Sequence, residues 1–258
     1  MKIYLRARTW IMYGFIVLLP VFVSILFYAV SSNRGDPPSN WSAMWIETAT
    51  MTYLVTIFTV VVSADSVAGE FASGTIKLLL IRPWSRSSIL LSKYVSVLLL
   101  GLAMTAATFI VTLLVNLILF GYSASPGDLP VQANGRSPLE TMLLVYLLQF
   151  ISLIVVATFG FMMSSAFRSG ALAIGLSIFL LLSGSLITGL LSLVDKPWVK
   201  FVLFPHLQLT SYLEGSGASG PVPNHPTTLG FSLAVLAAYF ILFNAVSWIV
   251  FRRRDVAA

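Results

Sequence analysis

Six stretches of this chain are each long and apolar enough to cross a lipid bilayer: about 10–31, 43–64, 93–121, 139–164, 170–194 and 228–251. A helix needs roughly 20 mostly apolar residues to span the hydrocarbon core. The chain is therefore predicted to be an all-α integral membrane protein with six transmembrane helices in a single domain over 1–258. Composition agrees. Of its 258 residues, 58% are hydrophobic and 9% charged, against roughly a quarter charged in a soluble domain. So few charges cannot cover a water-facing surface, and little chain is left over for a soluble catalytic domain. There is no cysteine, which excludes disulfides and thiolate metal sites.

The first stretch follows Lys2, Arg6 and Arg8, as a signal peptide would. It is longer than a typical signal core and lacks a small-residue cleavage site before Arg34. It reads as a retained helix, kinked at Pro20, which neighbouring helices can accommodate. The net charge of +6 does not point to nucleic acid, because the basic residues fall between the apolar stretches. With the N-terminus inside, the inner segments hold Lys2, Arg6, Arg8, Lys77, Arg82, Arg86, Lys93, Arg168, Arg252, Arg253 and Arg254. The outer segments hold only Arg34, Arg136, Lys196 and Lys200. The positive-inside rule therefore predicts both termini in the cytoplasm.

Two connections are long. The inner one covers about 65–92, and the outer one about 195–227. The outer connection opens with an apolar, aromatic run from Trp198 to Leu213, interrupted at Pro205, which is expected at or in the membrane interface. Its remainder, EGSGASGPVPNHP, is linker-like.

The inner connection carries the most information. Val67, Phe71, Gly74, Leu78 and Ile81 recur at helical spacing on one face, while Glu70, Ser73 and Lys77 share another. This predicts an amphipathic helix closed by Pro83, after which Ser85 caps the third span. Two readings stand. The charged face docks a soluble partner, or the helix rests on anionic lipid through Arg82, Arg86 and Lys93.

The segment GEFASGTIKLLLIRPWSRSSILLSK resembles the loop after the second helix in type-2 ATP-binding-cassette (ABC) permeases. There a Glu, then Gly-Thr, an apolar run and Arg-Pro-x-Ser-Arg precede the third helix. Glu70, Gly74, Thr75, Arg82, Pro83, Ser85 and Arg86 are the matching positions. The six-span layout and the tract FPHLQLTSYLEG before the last helix are also similar to that family. The resemblance implies a plasma-membrane permease that works as a dimer, exporting a peptide, an antimicrobial or a lipid-like compound. It implies a coupling helix seated on a cytosolic ABC ATPase, which places Glu70, Phe71, Gly74, Thr75, Lys77, Arg82 and Arg86 at the coupling site. ATP and Mg would then belong to the partner, with no cofactor in this chain.

No G-x-x-x-x-G-K-[ST] loop occurs, so a phosphate-cradling loop with its lysine is not encoded here. Glu47, Asp65 and Glu140 fall at the edges of the apolar stretches, whereas proton-coupled carriers keep carboxylates or histidines in their path. This argues against a proton-driven carrier. The two histidines, His206 and His225, are both in the outer connection and form no H-E-x-x-H motif. The chain is accordingly expected not to be an enzyme. A membrane-embedded protease or lipid-modifying enzyme, and a non-transporting scaffold or sensor, are the alternatives.

The second span carries Thr48, Thr50, Thr52, Thr56 and Thr59. The fifth carries Gly175, Ser177, Ser183, Gly184, Ser185, Thr188 and Gly189. Small and hydroxyl residues let helices approach and bond to one another. The family layout instead sets the second and fifth helices beside a substrate path, which would be lined by Thr52, Thr56, Thr59, Ser183, Ser185 and Thr188. Asn116, Gln149 and Asn244 are expected to make interhelical bonds.

Overall fold

The computed structural model describes residues 7–32, 39–74, 85–122, 129, 136–213 and 220–253. Among them the secondary structure is all helical. The long helices are α1 (Ala7–Ser32), α2 (Asn40–Ala72), α3 (Arg86–Phe120), α4 (Pro138–Ala166) and α5 (Gly170–Leu191). After a short α6 (Leu203–His206), α7 (Leu229–Arg253) ends the series. Six of these are long and apolar enough to cross a membrane. The structure thus meets the expectation of a six-span, all-α chain.

Hydroxyl side chains open the helices. A helix leaves its first amides without intrahelical partners, and a Ser or Thr just before it can accept from one of them. Ser39 accepts from the Ser42 amide, Ser85 from Ser88, Ser169 from Leu172 and Thr228 from Phe231, at 3.1–3.4 Å. At α4 the cap is reciprocal. The Glu140 amide donates to Ser137 Oγ, and the Ser137 amide donates back to Glu140 Oε2, with Pro138 at the first helical position. Two helices stop at glycine: Gly74 and Gly121 have φ of 68° and 73°, a backbone region costly for residues with a Cβ.

The chain divides into two compact units. The first comprises Met1–Val55, Leu102–Phe150 and Thr210–Gly217. Its core gathers Trp41, Met44, Leu129, Met142 and Tyr146, with Trp45, Phe109, Leu113 and Leu213 against them. The second comprises Thr56–Gly101, Ile151–Leu209 and Ala218–Ala258. One of its clusters joins Val67, Leu90, Tyr94, Phe161 and Phe251, with Phe71 packed against it. Another joins Ala64, Ala68 and Ala173. Close helix approach explains the small residues here. A Cβ on Gly101 would come to 2.9 Å from Leu153 and 3.2 Å from Thr59, and one on Gly160 to 3.4 Å from the Val60 carbonyl.

The apolar run between α5 and α7 folds into short turns, Pro197–Phe201, α6 and Leu209–Tyr212. His206 is fully buried there. Its Nδ1 lies 2.7 Å from Ser232 Oγ on α7, and its Nε2 lies 2.9 Å from the Lys200 carbonyl. A carbonyl only accepts, so Nε2 carries the proton and Nδ1 accepts from the serine. Burial pushes the imidazole pKa below its usual value.

Candidate functional site

The second and third spans run well past what a bilayer requires. With 33 and 35 residues, α2 and α3 reach about 50 Å at 1.5 Å per residue, against a hydrocarbon core of about 30 Å. The expected separate amphipathic helix therefore does not begin near residue 65. Val67, Glu70 and Phe71 belong to the last turns of α2, and Gly74 ends that helix instead of lying on its face. The helix continues because helix formation is cooperative and residues 65–72 contain no proline. Thr75, Lys77 and Arg82 lie outside the described residues, as do Leu78, Ile81 and Pro83.

The end of α2 is fastened on three sides. Lys93 on α3 lies 2.6 Å from Glu70 Oε1 and donates to the Ser66 carbonyl at 2.7 Å. Glu70 thus faces α3, with its side chain only 20% exposed, rather than standing free as a docking charge. From α4, Ser164 Oγ accepts from two successive backbone amides of α2, those of Val67 and Ala68, at 2.9 and 3.0 Å. A hydroxyl inserted into a helix ladder in this way is a recognised site of bending. Beside it, Asp65 lies against the start of α5. A Cβ on Gly69 would overlap Asp65 Oδ1, and one on Gly170 would come within 3.0 Å of it. Gly170 is the first residue of α5, where the helix dipole favours a carboxylate.

The remaining coupling candidates sit on the same structure. Phe71 packs into the cluster that joins Val67, Leu90, Tyr94, Phe161 and Phe251. Arg86 begins α3 and reaches the Arg252 carbonyl near the end of α7 at 3.5 Å, a cation at a helix C-terminus. Ser85 caps α3 as expected.

Five of the six hydroxyls assigned to a substrate path have partners at hand. Thr52 donates to Gln149 Oε1 at 2.6 Å. Thr56 and Thr59 are buried. Ser183 and Thr188 donate to the carbonyls four residues back, of Phe179 and Gly184, and Ser185 is exposed. Hydroxyls satisfied by their own helix suit a helix in lipid and do not call for a substrate. Asn244 donates to the Phe240 carbonyl of its own helix and, as expected, also bonds across to another helix, at the Tyr94 side chain of α3.

Sequence reasoning missed one group. Glu47, expected at the edge of an apolar stretch, lies about two turns from the start of α2, yet it is 2% exposed. Ser24 of α1 donates to its Oε1, and Asn116 of α3 donates to its Oε2 at 2.7 Å. The apolar run around it carries no mark of this, because its partners lie 23 and 69 residues away. Among the described residues, no three of His, Cys, Asp and Glu come together as metal ligands.

Six helices long and apolar enough to cross a membrane define a multi-pass membrane protein. The chain belongs to the family described as "Protein of unknown function (DUF2705)", whose model matches residues 9–257. It is 32% identical over 314 aligned positions to uncharacterized protein YhcI of Bacillus subtilis (strain 168), covering 100% of this chain and 97% of that one. It is 29% identical over 258 positions to the uncharacterized membrane protein YdbK of the same organism, covering 99% of each.

Proposed function

We propose that this chain is the permease subunit of an ATP-driven ABC transporter in the plasma membrane. It pairs with a second permease copy and with two cytosolic ATPase subunits that bind ATP and Mg. The supporting observation is the fastened end of α2. Glu70, Lys93 and Ser66 join it to α3, and Ser164 joins it to α4. Both α2 and α3 are longer than a bilayer needs. The connection at 75–84 between them is the segment in which Thr75, Arg82 and Pro83 match the coupling loop of type-2 permeases. A force applied to a loop held this way moves α2, α3 and α4 together, which is what conversion of ATPase closure into helix movement requires.

In this reading Glu70 positions the loop and does not itself touch the ATPase. Phe71 anchors the last turn of α2, Gly74 releases the chain from it, and Lys77, Arg82 and Arg86 supply the basic contacts. The termini and the 65–92 connection lie in the cytoplasm, and the direction of transport is outward, for a peptide, antimicrobial or lipid-like substrate. The test is purification of the tagged chain in mild detergent, followed by identification of what co-elutes. A nucleotide-binding subunit in stoichiometric amount supports the reading. Hydrolysis of a lipid or peptide by the chain alone contradicts it.

A further inference from the structure

Glu47, Ser24 and Asn116 come from three different helices and are at most 2% exposed. Ser24 Oγ donates to Glu47 Oε1. Asn116 Nδ2 donates both to Glu47 Oε2, at 2.7 Å, and to the Thr112 carbonyl, at 2.9 Å. That leaves Asn116 Oδ1, a buried acceptor with no hydrogen-bond partner among the described residues. On α4 the titratable neighbour is Tyr146, whose hydroxyl lies 3.1 Å from both Thr48 and Thr112. The groups that α1 and α3 turn to the carboxyl, Ser24 and Asn116, carry no charge.

We propose that Glu47 is a proton-binding site inside the membrane-spanning bundle, with Ser24 and Asn116 as its fixed partners. A carboxyl this buried is costly to ionise, and such groups in membrane segments serve pathways and proton exchange. A glutamine would make equivalent packing contacts without any ionisation cost. The hydrogen-bond geometry accommodates both states. Ionised, the carboxylate accepts from Ser24 and Asn116. When a proton from water adds to an Oε1 lone pair, the new O–H donates to Ser24 Oγ, and Asn116 continues to donate to Oε2. The serine's own hydroxyl proton then rotates away from the carboxyl, since a hydroxyl can accept as well as donate. Asn116 Oδ1 provides an acceptor next to the carboxyl for the water that delivers or removes the proton. The site does not depend on what drives transport, so it holds or fails separately from the ABC reading.

Infrared difference spectroscopy on the full chain in lipid, recorded as the pH is stepped, tests the site. Wild type is expected to show a protonated-carboxyl carbonyl band that grows as pH falls and is absent in Glu47→Gln. In Asn116→Leu the band should persist and move to higher frequency, because its carbonyl loses a donor. Should Glu47→Gln fail to fold, the shift in Asn116→Leu carries the test. A band of constant size at every pH, no band at any pH, or a titrating band that Asn116→Leu leaves unshifted overturns the proposal.

Discussion

The Lys93 ammonium lies 2.6 Å from Glu70 Oε1 and 2.7 Å from the Ser66 carbonyl oxygen, so one side chain of α3 closes the end of α2. The two side chains are 17% and 20% exposed. They therefore sit between a surface pair, worth up to about 1 kcal/mol, and a buried one, whose breaking costs about 3–5 kcal/mol.

Lys93→Ala and Glu70→Gln are each expected to lower stability by about 1–3 kcal/mol and to weaken recovery of the ATPase. The double variant Glu70→Lys with Lys93→Glu should regain part of both, since the pair is kept and only its polarity reversed. Thermal unfolding in detergent and co-purification measure the two effects. If Glu70 itself met the ATPase, the reversed pair would restore stability without restoring binding.

Gly69→Ala and Gly170→Ala each push a methyl group against Asp65 Oδ1. Overpacking of this kind costs about 1–3 kcal/mol. Asp65→Ala in the Gly69→Ala background should remove most of that penalty, giving a non-additive cycle. Additive losses would show that the carboxylate is not what excludes a side chain there.

The six spans were legible because hydropathy reports immersion in lipid directly. The caps at Ser85 and at the Ser137–Glu140 pair follow rules that need only local sequence. What hydropathy did not report is where α2 ends. The polar residues from Ser63 to Glu70 read as the start of a loop, yet the helix runs on, because Ser164 and Lys93 meet its polar groups from α4 and α3. The Glu47 site was hidden for a related reason. Ser24 and Asn116 each look like an ordinary polar residue in an apolar run until three helices bring them to one carboxyl.

His206 gives the connection between α5 and α7 a pH dependence. Its folded-state pKa is lowered by burial, so below the ordinary histidine value the unfolded state binds more protons than the folded one. Stability then falls as pH drops from the unfolded value, about 6.5, toward the lowered folded one. Nicking of this connection by a protease should therefore rise on acidification across that window. His206→Gln should flatten the response, and an unchanged pH profile in that variant would assign the effect to another group.

Topology is open to direct labelling, since the chain has no cysteine. Single cysteines at Ser73, Ser87 or Ala257 are expected to resist an impermeant thiol reagent in intact cells, and those at Ser125 or Ser219 to react. The reverse pattern would put the 65–92 connection on the wrong side for any cytosolic motor.

The measurement that bears most directly on an ATPase-driven permease compares two tagged chains expressed to the same level in the membrane. One is wild type. In the other, residues 75–84 are replaced by a Gly/Ser segment of equal length. Wild type is expected to bring down a nucleotide-binding subunit and to stimulate its ATP hydrolysis. The replaced chain should insert normally and lose both. Absence of any such subunit with wild type, or equal recovery and stimulation with the replaced segment, would contradict the assignment of this chain as a coupled permease.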